Sequence, residues 1–319
     1  MDYKEVSLEI SKLIGEPVNP QLPVPVELAE IADTFTAEPG EHVWRYQNID
    51  DTADVILDVD SAGLITPKKR TPLNDVELTF KGLNSKLEYV LVEDVLNKVD
   101  TNALARRKES ISRGMDKREM KAILDALVTP SNVYFPHNKV TNNEVTVASG
   151  DDLYDVIMAM KHKVEDYGDE YVLLVGSAVK EAIDTFDKDN VASFNYNINL
   201  MSRLREVGIN VLKIFGKVSA IDAETEVALL DANKLILVAK NSRVAEGKPI
   251  KFVRRRISSD IAQMMGADVD SAQRAVIVHP TPVQDSGNRL AFGVYGYESN
   301  IFCVTNPYAI VYADASVIL

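Results

Sequence analysis

Apolar and polar residues alternate along four runs in the first third of the chain. These are Val43-Trp44-Arg45-Tyr46, Asp54-Val55-Ile56-Leu57-Asp58-Val59-Asp60, Val76-Glu77-Leu78-Thr79-Phe80 and Leu87-Glu88-Tyr89-Val90-Leu91-Val92. A period of two marks half-exposed strands, and together the runs predict a β ribbon over 43–91. Its middle, from Gly63 to Pro72, carries Pro67, Pro72 and the cations Lys68, Lys69 and Arg70, which suits an exposed tip. A two-sided ribbon of this length cannot bury enough apolar surface to stand alone in water. The pattern calls for a covering surface, and a neighbouring copy of the chain is the expected one.

From Glu93 the spacing turns helical: Val95, Leu96, Val99, Ala103, Leu104, Ile111, Met115, Met120, Ile123, Leu124, Leu127. A helix is predicted over 93–129, bent at Gly114 and stopped by Thr129-Pro130. Thirty residues of it would span roughly 45 Å. Arg106-Arg107-Lys108-Glu109 interrupts the apolar stripe, so one face of the helix is expected to be wet. A second helix, capped by Asp151 or Asp152, carries Leu153, Ile157, Met160 and Val164.

Tyr171 to Val175 reads as a buried strand, followed by a helix from Ser177 to Phe186. A helix over 199–206 turns at Gly208-Ile209-Asn210 into a strand over 211–214, and further strands are expected over 227–230 and 234–238. The end is β in pattern, with strands over 290–297, 301–305 and 309–313 and a turn at Asn306-Pro307. At the other end, after a short helical start (Val6, Ile10, Leu13, Ile14), Pro17, Pro20, Pro23, Pro25 and Pro39 favour an extended arm over 1–42.

Composition narrows the function classes. With 319 residues, 46% hydrophobic and 26% charged, the chain can build one large domain or two smaller ones. The sequence shows neither an apolar run of membrane-spanning length nor a signal peptide, so no membrane partner is expected. The lone Cys303 excludes an internal disulfide and fits a reducing compartment. A net charge of -13 repels phosphate backbones, so tight nucleic-acid binding is not expected. The dense basic runs are Lys68-Lys69-Arg70 and Arg254-Arg255-Arg256. In this acidic background both are taken as candidate ion-pairing contacts to neighbouring subunits, in preference to a DNA contact.

The motifs that could carry chemistry are weak. Ser177-Ala178-Val179-Lys180 has the S-x-x-K spacing of a serine nucleophile and its lysine, yet the partner motifs are missing, and a helix-capping serine explains it. His42, His137, His162 and His279 stand far apart, and with one cysteine no zinc site or other cofactor is indicated. Asp187-Lys188-Asp189-Asn190 opens like a calcium loop but lacks its glycine and closing glutamate, and is read as a solvated turn. Gly216-Lys217 and Gly293-Val294-Tyr295-Gly296 lack the rest of a phosphate loop, and Asp58 with Asp60 is ordinary on an exposed strand. No catalytic residues are assigned, and the chain is not expected to be an enzyme.

The order of these parts resembles the major capsid proteins of tailed bacteriophages, the Hong Kong 97-type capsid fold. The closing segment from Gly293 through Asn306-Pro307-Tyr308-Ala309-Ile310-Val311 is similar to that family's ending, in which a strand pair leads to a final Pro-x-Ala-Ile strand. Tyr171 to Asn190 is similar to its strand-helix piece closing on a Lys-Asp turn, here Lys188-Asp189. The resemblance implies an α+β fold: an N-terminal arm (1–42), an extended β loop (43–91), a peripheral domain (92–168) with a spine helix over 93–129, an axial α/β domain (169–281), and C-terminal strands (282–319) that return to the peripheral domain.

The resemblance further implies self-assembly into pentamers and hexamers of an icosahedral head around double-stranded DNA, within a bacterial cytoplasm, the product being the virion. A portal is an implied partner. Only about forty residues precede the extended loop, so scaffolding is expected from a separate protein. One branch of the family joins an extended-loop lysine to a neighbour's asparagine; Lys68 and Lys69 are placed for this, but nothing identifies the asparagine or the catalytic carboxylate. Two alternatives stay open. An encapsulin-type compartment shares the fold, and a cytoplasmic enzyme or small-molecule binding protein would show a deep pocket with perturbed titratable groups.

Overall fold

The computed structural model describes residues 26–47, 75–85, 88–91, 103–128, 144–190, 200–219, 226–241, 247–264, 267–269, 274–278, 283–284 and 290–319. The N-terminal half opens with a short helix α1 (Val26–Ile31) leading into β1 (Ala32–Ala37). Next come β2 (Val43–Gln47), β3 (Asp75–Thr79), β4 (Lys81–Asn84), β5 (Glu88–Leu91) and the long helix α2 (Ala103–Val128). The middle holds β6 (Glu144–Val145), α3 (Leu153–Val164), β7 (Glu170–Val175), α4 (Ser177–Asn190), α5 (Leu200–Glu206), β8 (Ile209–Lys213), β9 (Lys217–Ser219), β10 (Glu226–Ala228) and β11 (Lys234–Lys240). The last part holds β12 (Ile250–Arg255), α6 (Ser259–Met264), β13 (Ala267–Val269), β14 (Ala275–Val278), β15 (Val283–Gln284), β16 (Leu290–Val304) and, after a turn of 3-10 helix, β17 (Ile310–Asp314).

Two sheets carry the fold. One has five strands in the order β6-β17-β11-β7-β8, with β7 and β8 parallel. The other has eight, with a main path β1-β12-β16-β14-β13 and β4, β5 and β15 also paired to β16. Two small antiparallel pairs, β2 with β3 and β9 with β10, are not hydrogen-bonded to either sheet.

Side chains alternate across each strand, so the five-stranded sheet feeds two cores. Val172, Leu174, Ile236, Val238 and Ile310 face the C-terminal half of α2, where Met120, Ile123, Leu124 and Leu127 are buried. Phe252, Phe302 and Val304 of the eight-stranded sheet join the same core, so α2 lies between the two sheets. The opposite residues, Leu173, Val175, Leu235, Leu237, Val311 and Ala313, pack with Val156, Ile157 and Met160 of α3 and with Val179, Ile183 and Leu204 of α4 and α5. α3 begins as expected: the Asp152 carboxylate accepts from Tyr154 N at 3.0 Å and caps the orphan N–H groups of its first turn.

Several expectations are corrected. The base of the ribbon is not bare. β4 and β5 pair with β16 of the same chain, and Leu78 of β3 is buried with Ala37, Val253, Ile301 and Cys303. Strand alternation reports that one face needs cover and not which strand supplies it. The need for a neighbour's cover therefore does not extend to this base.

The strand pair expected over 290–297 and 301–305 is one strand of fifteen residues. Lys188 and Asp189 lie within α4, which runs on to Asn190 because no glycine or proline interrupts it, so they form no turn. α2 continues through Gly114 without a break. The expected start of that helix at 93–102, its stop at Thr129-Pro130, most of the N-terminal arm and the ribbon tip lie outside the described residues.

Sheet membership also cuts across the expected boundaries. β12, β13 and β14, placed in 169–281, belong to the sheet of β16, whereas β17, placed in 282–319, lies in the five-stranded sheet beside β11.

Candidate functional site

The inner face of α2 carries the densest chemistry among the described residues. Glu119, one to two turns past Ser112, meets the guanidinium of Arg254 from β12: Nε donates to Oε1 at 3.1 Å and Nη2 to Oε2 at 2.5 Å. Arg274, just before β14, donates from Nη2 to Glu119 Oε2 at 2.8 Å and from Nε to Glu298 Oε2 at 2.6 Å. Its Nη1 also lies 2.6 Å from Asp116 Oδ1. Asn300 closes the set by donating to Glu119 Oε1 at 3.1 Å and to Glu298 Oε1 at 3.0 Å. Glu119, Arg254, Arg274 and Glu298 are all buried.

Three carboxyls thus share two guanidiniums in a water-poor space, and the electrostatics follow from that count. Burial, then the nearby Glu119, pushes Glu298 up to about 8 against the attraction of Arg274. Burial likewise raises Asp116, opposed by Arg274. The surrounding carboxylates hold Arg274 charged despite its burial. Such a cluster ties helix to sheet. Each charge in it already touches a counter-charge, which marks it as structural.

The predicted contact residues fall in different places. Lys68, Lys69 and Arg70 lie outside the described residues. Arg254 is corrected: its side chain is 3% exposed and held by Glu119, so it cannot reach a neighbour. Strand alternation turns Arg255 the other way, and Arg256 stands just past the end of β12. Arg255 is half-buried, donates to Glu41 O at 3.3 Å and covers the Phe80 ring; Arg256 is exposed and pairs with Glu38 at 3.4 Å. The Arg254–Glu119 partnership joins residues 135 apart in sequence, and no local signal announces it.

Ser177 begins α4, and Lys180 pairs with Asp184 one turn on, as a surface lysine does. His162 lies 3.1 Å from Glu165. Among the described residues no group of three or more His, Cys, Asp or Glu side chains is arranged to hold a metal, and no helix is long and apolar enough to cross a membrane.

Exposed apolar side chains mark surfaces that water covers poorly. Ile261 and Met264, three residues apart on α6, share one face, and Met264 is 88% exposed. Tyr308 stacks on Tyr167 at 5.2 Å between centroids while still 41% exposed. These are among the candidate contact positions on the described surface.

No protein-family model and no curated protein sequence matches the chain. Solved structures do. The chain is similar to a structure of Microbacterium phage Oxtober96, with a TM-score of 0.58 at 11% identity over 94% of this chain and 93% of that one. It is similar to the capsid of a native GTA particle, with a TM-score of 0.57 at 13% identity over 94% of this chain and 93% of that one. It is also similar to the procapsid of satellite phage P4, at 0.51 and 11% identity, over 99% and 91%. The chain therefore has the α+β fold of phage capsid proteins along nearly its whole length, as the resemblance implied.

Proposed function

We propose that the chain is a structural shell subunit, the major capsid protein of a tailed-phage head that encloses double-stranded DNA. The observation that carries this is the fold likeness over 94% of the chain and 93% of a phage structure, which takes up nearly every residue of both. In this proposal α2 is the spine helix of the peripheral domain. The segment between β2 and β3 is the extended loop over a neighbour, and the five-stranded sheet is the axial domain around five-fold and six-fold axes. The subunit works without enzymatic chemistry or a cofactor, assembles with copies of itself into pentamers and hexamers, and takes a separate scaffolding protein and a portal as partners. It assembles in the bacterial cytoplasm and ends in the virion.

Contact residues in this proposal are Lys68, Lys69, Arg70, Arg255 and Arg256, with the apolar face of α6. An encapsulin-type compartment would use the same fold, and the two differ in what the particle holds.

Electron microscopy and sedimentation of the full chain test this together. The expected result is closed particles far above the 35.3 kDa subunit, with DNA rather than a cargo enzyme in particles recovered from the native host. A chain that stays monomeric across concentration and salt overturns the proposal.

A further inference from the structure

The outward face of α2 is basic, in a protein whose net charge is -13. Arg113 and Lys117 are exposed there, and Arg118 and Lys121 are half-buried beside them. From Arg113 to Lys121 the row covers about 12 Å of helix. Two acids of the helix offset two of these cations in i,i+4 pairs, Glu109 with Arg113 and Asp125 with Lys121. The other two acids, Asp116 and Glu119, are drawn inward by Arg274 and Arg254. Burying those two carboxylates is what leaves the outer face cationic.

A second element extends the row. A Cβ at Gly216 would stand 3.9 Å from Lys117 Cε, so the corner between β8 and β9 abuts the helix at this point. That corner presents the exposed Lys213 and the ring of Phe215, 71% exposed. A line of cations from two elements has the composition of a phosphate-backbone surface. The centre of a protein interface is instead depleted of lysine, and Lys117 and Lys213 both stand in this row.

We propose that this face makes weak, sequence-independent contact with the phosphate backbone of duplex DNA. The proposal rests on the DNA-enclosing shell for the identity of the polyanion. Three to five neutralised phosphates give a slope of log affinity on log salt of about -3 to -4.5. Affinity then drops about a thousandfold between roughly 20 mM and 150 mM salt. An isolated subunit therefore holds no DNA at physiological salt. Many subunits side by side steer the packed backbone without gripping it, which suits a container that must fill and empty.

The test is anisotropy of a labelled duplex of about 30 base pairs titrated with the full chain at 20 mM salt and upward. Expected are binding at low salt with a slope in that range, and none at 150 mM. Lys117→Glu with Arg118→Glu and Lys213→Glu should weaken low-salt binding at least tenfold, and Lys117→Gln alone should lower the slope by about one. Arg203→Glu, an exposed cation on α5 across the five-stranded sheet from α2, should change neither.

Absence of binding at 20 mM, unchanged binding in the triple variant, sub-micromolar binding at 150 mM, or tighter binding to polyglutamate than to duplex each overturns the proposal, the last by assigning the face to an acidic protein. Sedimentation of the same samples separates it from the shell: particles without low-salt binding sink only this contact, and binding by a chain that never assembles sinks only the shell.

Discussion

Three carboxyls facing two guanidiniums under α2 leave Glu298 as the group with most to gain from a proton. Its folded pKa of about 8 stands above the ordinary 4.5. The folded state then holds a proton that the unfolded chain has released between those values. Its contribution to stability is complete below about 4.5 and is lost as pH rises through 8. Every tenfold difference in proton affinity between folded and unfolded chain is worth about 1.4 kcal/mol, and Asp116, also raised, acts in the same sense. Urea unfolding of the subunit should therefore show stability falling from pH 5.5 to 8.5. Glu298→Gln, which keeps the neutral form, should flatten that fall and raise stability at pH 8.5. Glu119→Gln should lower stability instead, costing about 3–5 kcal/mol by leaving Arg254 buried without its counter-charge, and should also flatten the pH fall, because the charge of Glu119 helps to raise Glu298. A wild-type profile that rises with pH over this window would sink the proton assignment.

At the scale of elements, β16 is the member on which the larger sheet depends, because β4, β5, β12, β14 and β15 all pair with it. α2 seats directly on this strand at Gly296. A Cβ there would lie 2.7 Å from both Ile111 Cγ2 and Met115 Sδ, closer than side chains tolerate. Gly296→Ala should cost about 1–3 kcal/mol by overpacking, seen as a lower thermal midpoint with the fold retained. A neutral result would mean that the helix does not press on the strand. The sequence predicts one strand over 290–297 and another over 301–305, with Glu298-Ser299-Asn300 between them. A break at consecutive polar residues follows from local rules that hold at exposed positions. Here Gly296 admits a helix, and Glu298 and Asn300 find Arg274, Glu119 and each other.

Over the whole molecule, the two cores lie on either face of the five-stranded sheet, and among the described residues both are built from elements other than β2 and β3. Removing residues 63–72 should therefore leave a folded subunit with wild-type helix content by circular dichroism, while particle yield in sedimentation drops sharply. Unfolding of the deletion variant would place the tip inside the fold and refute this. Lys68→Glu with Lys69→Glu and Arg70→Glu should weaken assembly most at low salt, where ion pairs between neighbours are least screened.

The sequence alone determined what neighbours along the chain decide. The body of α2, the Asp152 cap and apolar stripe of α3, and the apolar run of β7 all follow from periodicity and capping, which act within one or two turns. The outward turn of Arg255 beside an inward Arg254 is likewise an alternation any strand must obey, although which of the two faced in was open. Tertiary structure alone decided the pairings. It closed β4 and β5 onto β16, divided β12 and β17 between different sheets, and buried Arg254 against a glutamate 135 residues away. Those outcomes rest on contacts between segments remote in sequence. Each is set by competition among all available edges and charges, and no window of the chain contains the competitors.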